Sequence, residues 1–179
     1  GRALRSAAAI ATVSRATAEA IRAYDPRAAP RTHVTRSGVS RHFRPVVPDR
    51  DALAQLGVPP DAPYVLTIGQ HAPYKNHEGA LRAFALAFPD PSDVRLVLVQ
   101  RIGRDSERLG GLAAAIGIAP RLVLLPAVSE DILLSLYASA AALLHPSFCE
   151  GFGNPLAEAM ACGCPVVTSS RSAMPEVTA

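Results

Sequence analysis

The chain has no tryptophan, and only 5% of its residues are aromatic. Platforms on which nucleic-acid bases stack need such rings, so their scarcity argues against a nucleic-acid partner. Charge points the same way, because a formal net charge of +3 is a small excess for a protein that tracks a phosphate backbone. Although 49% of the residues are hydrophobic, no run approaches the ~20 apolar residues of a membrane-spanning helix. Cysteine is sparse too. Cys149, Cys162 and Cys164 are an odd set containing one Cys-x-Cys, which gives neither a disulfide framework nor a zinc pattern. They read as small reduced core residues of a cytoplasmic protein. Lysine is nearly missing: of eighteen basic residues, all but Lys75 are arginine. Such a lone lysine suggests a position that wants a compact point charge rather than a planar fork.

What is present suits a single core. A chain of 179 residues is long enough to bury most of its surface. The Arg-, Ala- and Ser-rich first eighteen residues have the composition of a transit peptide. Residues 9–13, however, already read as a short strand, and Ser14 as the cap of a helix over 15–23. A Pro- and Arg-rich passage over 25–31, an extended 33–35, a Ser37-Gly38 turn and a linker over 44–49 follow. Strands are then predicted at 64–68, 94–99, 122–125, 141–144 and 165–168, alternating with helices over 77–88, 106–116, 129–139 and 155–162. Short apolar strands separated by helices predict an α/β fold, a Rossmann-like parallel sheet with helices on both faces. Ligands of such sheets sit beyond the carboxyl ends of the strands. That singles out the loops 69–76, 99–105, 126–129 and 145–154.

The last of these loops carries the most informative run, Glu150-Gly-Phe-Gly-Asn-Pro-Leu-Ala-Glu158. Asn154 reads as an N-cap, Pro155 as the first helical residue, and Gly163 as the stop. A helix N-terminus behind a Gly-rich loop offers free N–H groups and a positive dipole end to an anion. Two carboxylates, one in the loop and one in the first helical turn, instead suit hydroxyls. The combination describes a site for something both anionic and polyhydroxylated, such as a nucleotide sugar. Taken singly, a Glu early in a helix also serves the dipole, and glycines there also merely turn the chain.

The longer stretch Pro146-Ser-Phe-Cys-Glu-Gly-Phe-Gly-Asn-Pro-Leu-Ala-Glu-Ala-Met-Ala-Cys-Gly-Cys-Pro-Val-Val167 closely resembles the signature of retaining glycosyltransferases of family 4. These are two-domain GT-B enzymes with a Pro-Ser, a Glu, seven residues, a second Glu, then Ala-Met-Ala-x-Gly-x-Pro-Val-Val. Ala9–Ser14 together with Arg36-Ser-Gly-Val-Ser-x-x-Phe43-x-Pro45 resembles the end of the family's N-terminal domain and the crossover. Residues 60 onward resemble the nucleotide-binding C-terminal domain. The resemblance thus implies that residues 1–45 are the tail of an acceptor domain with its crossover, and 46–179 an incomplete donor domain. It also implies a fragment, with most of the acceptor domain missing before Gly1 and the closing elements missing after Ala179.

As activity, the resemblance implies transfer of a sugar, with retention, from a UDP- or GDP-sugar to a saccharide, lipid-linked or small-molecule acceptor in polysaccharide biosynthesis. No metal and no cofactor beyond the nucleotide sugar are expected. It leaves open the oligomeric state and a peripheral membrane contact through the missing domain. Gly69 and Lys75, with Gln70, would flank the donor diphosphate. Lys75 and Glu150 would be catalytic, with Glu150 on hydroxyls of the donor sugar. The backbone of Gly151, Phe152, Gly153 and Asn154, leading into Pro155 and Leu156, would line sugar and phosphates. Glu158 would hold the ribose, and Ala127 and Val128 would meet the base.

The family often has an arginine beside this glycine or lysine, where Gln70 and Tyr74 stand here. That implies weaker phosphate binding, or an arginine from elsewhere. Gln100 and Pro126 replace common glycines and imply a differently shaped base pocket. His71, His77 and His145 inherit no catalytic role, and His145, which could reach the site, reads better as a structural histidine. Two other readings stay open. One is a GT-B epimerase or phosphorylase, the latter needing Lys75 as its pyridoxal lysine. The other is a non-catalytic nucleotide-sugar-binding module.

Overall fold

The computed structural model describes residues 2–70, 72–90, 92–100 and 104–179. His71 and residues 101–103 of the loop 99–105 therefore lie outside the described residues.

Two parallel sheets organise the chain. The small one pairs β1 (Ile10–Thr12) with β2 (Thr32–Val34) in the register Ile10↔Thr32 to Thr12↔Val34. Ahead of it lies α1 (Arg2–Ser6), and between its strands α2 (Arg15–Tyr24) and a 3-10 turn over Pro26–Arg31. Ser14 caps α2, its Oγ accepting from the Thr17 amide at 3.1 Å. After the linker, Asp49 caps the short helix α3 (Arg50–Gln55) through the Ala52 amide at 2.9 Å.

The large sheet follows: β3 (Tyr64–Ile68), α4 (His77–Ala87), β4 (Arg95–Val99), α5 (Arg104–Ala115), β5 (Leu122–Leu125), α6 (Glu130–Ser139), β6 (Ala142–His145), α7 (Asn154–Ala161), β7 (Val166–Thr168) and α8 (Met174–Thr178). Its strand order is β5-β4-β3-β6-β7, all parallel. The two faces separate by the period-2 rule of strands. Val65, Leu96 and Leu98 pack with Leu81 and Phe84 of α4 and Leu109 and Ala113 of α5. Leu66, Val97, Val99, Leu125 and Leu143 face the other way, toward Leu53, Leu136, Tyr137, Leu156 and Ala159 of α3, α6 and α7. The expected α/β sheet with helices on both faces is thus observed. After β5 the chain crosses back to place β6 beside β3, so β3 and β6 flank the topological switch point where open α/β sheets bind ligands.

Three expectations need correction. The helices α1, α3 and α8 were not predicted, because five or six residues hold too little periodicity to show an apolar stripe. Helix α7 begins at Asn154, so Gly153 rather than Asn154 occupies the cap, at φ +105°. Glu158 accordingly falls in the second turn of α7 rather than the first. Gly163 does end α7: at φ +80° it donates to Met160 O while Cys164 donates to Ala159 O, a Schellman closure.

Candidate functional site

The loop after β3 runs Gly69 to Asn76 and tightens into a 3-10 turn over Pro73–Lys75. Asn76 ends it in the left-handed region at φ +55°, which Asn tolerates better than most residues. Its side chain does two jobs: Oδ1 accepts from the Gly79 amide at 3.2 Å, capping α4, and Nδ2 donates to Pro146 O at 3.2 Å. The loops after β3 and β6 are therefore fastened together. Phe148 N also donates to Tyr74 O at 2.7 Å. Lys75 folds back over Gly69, where an added Cβ would meet its Cδ at 3.3 Å and His77 Nε2 at 3.4 Å. Gly69 thus serves a close approach rather than a turn.

That folding brings Lys75 Nζ to 2.7 Å from Glu150 Oε1, with the two side chains 12% and 10% exposed. His145, the last residue of β6, brings Nε2 to 2.9 Å from the same oxygen. Ser147 Oγ lies 3.2 Å from that nitrogen, and Ser147 also hydrogen-bonds the carboxylate. Burial opposes the charge on Glu150. The hydrogen bonds from His145, Lys75 and Ser147, and the Lys75 ammonium itself, outweigh it and hold the pKa at about 2. Ser172 braces the main chain here, its Oγ accepting from Glu150 N at 3.2 Å and donating to Glu150 O at 2.8 Å.

The loop then turns into α7. Gly153 is buried in the left-handed conformation, and no side chain caps the helix. Leu156 N and Ala157 N both point to Gly153 O. The Leu156 side chain is fully buried in the core, so its part in the site is to anchor the turn. An uncapped helix start next to a lysine is a natural anion site. Glu158 stands apart from the Lys75–Glu150 pair and accepts from Tyr137 Oη of α6 at 3.0 Å. Its pKa is raised by burial, which the Tyr137 hydrogen bond only partly offsets. Burial and the neighbouring Glu158 likewise raise the Tyr137 phenol.

A cavity of about 390 Å³ opens beyond the strand ends, lined by Ile68, Gly69, Gln70, Val99, Gln100, Ala127, Val128 and Leu133. It unites four residues expected to touch a donor: Gly69, Gln70, Ala127 and Val128. Gln100, flagged by sequence as a departure, does line it. Its carboxamide is engaged with His77 Nδ1 and Ser106 Oγ, each at 3.2 Å. Among the described residues no arginine joins Lys75 on Glu150, and Arg108 pairs instead with Glu78 in a neighbouring cavity. Among the described residues, no cluster of three or more His, Cys, Asp or Glu side chains is disposed to hold a metal ion, and no helix is long and apolar enough to cross a membrane.

The expected residues therefore fall into three groups: the Lys75–Glu150 pair with the 151–154 loop, the cavity residues, and Glu158 held by Tyr137. Sequence reasoning missed the partnership of His145 with Glu150, the brace from Ser172 and the anchor from Tyr137. It also missed a link to the small sheet. Glu176 accepts from the amides of Arg15 (2.9 Å) and Ala16 (2.7 Å) at the start of α2, and Thr17 Oγ1 donates to Gly151 O at 3.3 Å. The Glu of the dipeptide Pro175-Glu176 was the available signal.

The family profile described as Glycosyl transferases group 1 matches residues 49–179. A D-inositol 3-phosphate glycosyltransferase of Streptomyces bingchenggensis is 35% identical over 151 residues, covering 79% of this chain and 33% of that protein. An O-antigen chain mannosyltransferase B of Escherichia coli is 39% identical over 116 residues, covering 64% of this chain and 30% of that protein. The chain thus spans about a third of the length of the curated relatives it matches. Among solved structures, Anabaena HepE in complex with UDP and glucose superposes with a TM-score of 0.81 at 25% identity, covering 97% of this chain and 47% of that one. Sucrose-phosphate synthase from Thermosynechococcus elongatus gives 0.79 at 29% identity, covering 94% and 42%. A matching profile over most of the chain, seated on the sheet and loops described above, places this chain in the group 1 glycosyl transferase family.

Proposed function

We propose that this chain is the donor-binding part of a retaining glycosyltransferase that moves a sugar from a UDP- or GDP-sugar to a saccharide, lipid-linked or small-molecule acceptor. The observation that carries the reading is the Lys75–Glu150 pair at the switch point, next to the uncapped start of α7. HepE, which superposes on this chain, is solved with UDP and with UDP-glucose. In this reading residues 46–179 form the donor unit, and residues 1–45 belong with an acceptor unit that completes the cleft.

The chemistry follows from charge. When the bond between the anomeric carbon and the β-phosphate oxygen breaks, its electron pair goes to that oxygen. The Lys75 ammonium and the first N–H groups of α7 meet the growing negative charge, which is where an enzyme gains most from fixed donors. No metal is invoked for this step. Glu150 accepts from hydroxyls of the donor sugar, Glu158 from the ribose, and the 390 Å³ cavity takes the base. The acceptor hydroxyl attacks from the face the leaving group quits and passes its proton to the departing β-phosphate oxygen, which preserves the anomeric configuration. The work is cytoplasmic, where nucleotide sugars are the donors.

A non-catalytic nucleotide-sugar-binding module is the second reading. It is favoured by one observation: Lys75 is already paired with Glu150, and position 70 supplies no charge beside it. Calorimetric titration of the chain with UDP, GDP, UDP-glucose and GDP-mannose tests the donor site, with Lys75→Ala and Glu158→Ala as controls. Saturable binding of one nucleotide that both variants lose supports it. A folded chain that binds none of them refutes it. Release of nucleoside diphosphate by the chain joined to an acceptor domain separates the enzyme from the module.

A further inference from the structure

Glu150 Oε1 receives two donors of different kinds. Lys75 reaches it at 2.7 Å on a long flexible side chain. His145 reaches it at 2.9 Å from the end of a strand, with its ring 2% exposed and its carbonyl held by Thr168 Oγ1 at 2.8 Å. Ser147, fully buried, lies 3.2 Å from the same nitrogen. A carboxylate only accepts, so the ring directs an Nε2 proton at Glu150. The two donors have different fates when a diphosphate arrives: the lysine can swing to it, and the histidine, fixed in the core, cannot.

We propose that His145 is a positioning residue for Glu150: it keeps the carboxylate oriented and hydrogen-bonded while Lys75 is transferred to the donor diphosphate. This rests on the donor-site reading above. Without His145, turning Lys75 away leaves a largely buried carboxylate short of a donor, and part of the lysine's attraction for phosphate is lost in holding Glu150. The histidine matters only because a carboxylate is there. Its influence on ligand binding therefore runs through Glu150 and vanishes when Glu150 carries no charge.

A double-mutant cycle tests this. His145→Phe fills the ring's volume without a donor, and His145→Gln keeps one. UDP-glucose is titrated into wild type and both variants, and into the same three in the Glu150→Gln background. We expect His145→Phe to weaken binding about tenfold when Glu150 is present and by less than about twofold in the Glu150→Gln background. His145→Gln should restore much of the loss. Equal losses in both backgrounds would show a merely structural histidine and overturn the proposal, as would no loss in either. If wild type binds no nucleotide, the donor-site reading fails, and the carboxyl 13C shift of Glu150 in the ligand-free chain decides the positioning role by itself. The proposal then requires Glu150 to stay ionised at pH 4 in wild type and His145→Gln, and to begin protonating in His145→Phe. Identical titrations in all three would reject it. Should His145→Phe not fold, His145→Leu replaces it in the same cycle.

Discussion

Replacing Lys75 with methionine keeps the volume of the side chain and removes its ammonium. The loss is worked from Glu150. Its pKa lies at about 2 against an ordinary 4.5, and that gap corresponds to about 3 kcal/mol, the net of what its donors contribute over the opposing cost of burial. Lys75 is one of three, and water reaches part of the group. Screening and sharing leave about 1–2 kcal/mol for the ammonium. The sign is set by a depressed carboxyl pKa: the stabilisation is fully present above pH 4.5 and fades as pH falls through about 2. Urea denaturation of wild type and Lys75→Met at pH 7, 5, 3 and 2 measures it. Wild type should exceed the variant by about 1–2 kcal/mol at pH 7, and the two curves should converge as the pH is lowered below 4. A gap that persists unchanged to pH 2 would mean that Lys75 stabilises the fold by packing alone, and the ion-pair account would be wrong.

Glu158→Gln should be more stable than wild type at neutral pH while losing nucleotide affinity. A carboxyl whose pKa burial has raised destabilises the fold once pH exceeds its unfolded value, and the amide escapes that penalty. Chemical denaturation at pH 5 and 8 should show the advantage growing with pH. Gly153→Ala should cost about 1–2 kcal/mol in thermal unfolding, since φ is +105° there and a Cβ would sit 3.3 Å from Leu156 Cδ1. Glu176→Ala should cost about 1 kcal/mol, as loss of a helix cap does. Amide exchange should then speed up at Arg15 and Ala16 more than along the rest of α2.

Legibility in the sequence followed locality. The strands Tyr64–Ile68 and Leu122–Leu125 lie where the apolar runs place them, because Pro63, Gly69 and Pro126 bound them sharply. Ser14 and Ser129 mark the starts of α2 and α6 through side-chain caps that any reader of turn chemistry can anticipate. Helix α3 has the same kind of signal in Asp49, but with Leu53 its one buried residue it left no apolar stripe to confirm it. Lys75 and Glu150 stood out by residue type and spacing. Their contact spans 75 positions, and only the parallel pairing of β3 with β6 brings them together. Tyr137 with Glu158 and Glu176 with the start of α2 depend on packing between helices and between sheets. No pattern within a window of residues encodes such meetings.

The pairing of Lys75 with Glu150 means that the lysine carries its own counter-ion. A stray phosphate or other small anion gains the ammonium only by stripping it from a carboxylate and returning nothing. On the proposed donor reading, a nucleotide sugar would bring phosphate for the lysine and hydroxyl protons for the glutamate in one molecule, so both halves of the broken pair would find replacements. Discrimination would then come from completeness of exchange rather than from tightness of fit. On that reading the Lys75–Glu150 contact would also set partial ligands at a disadvantage.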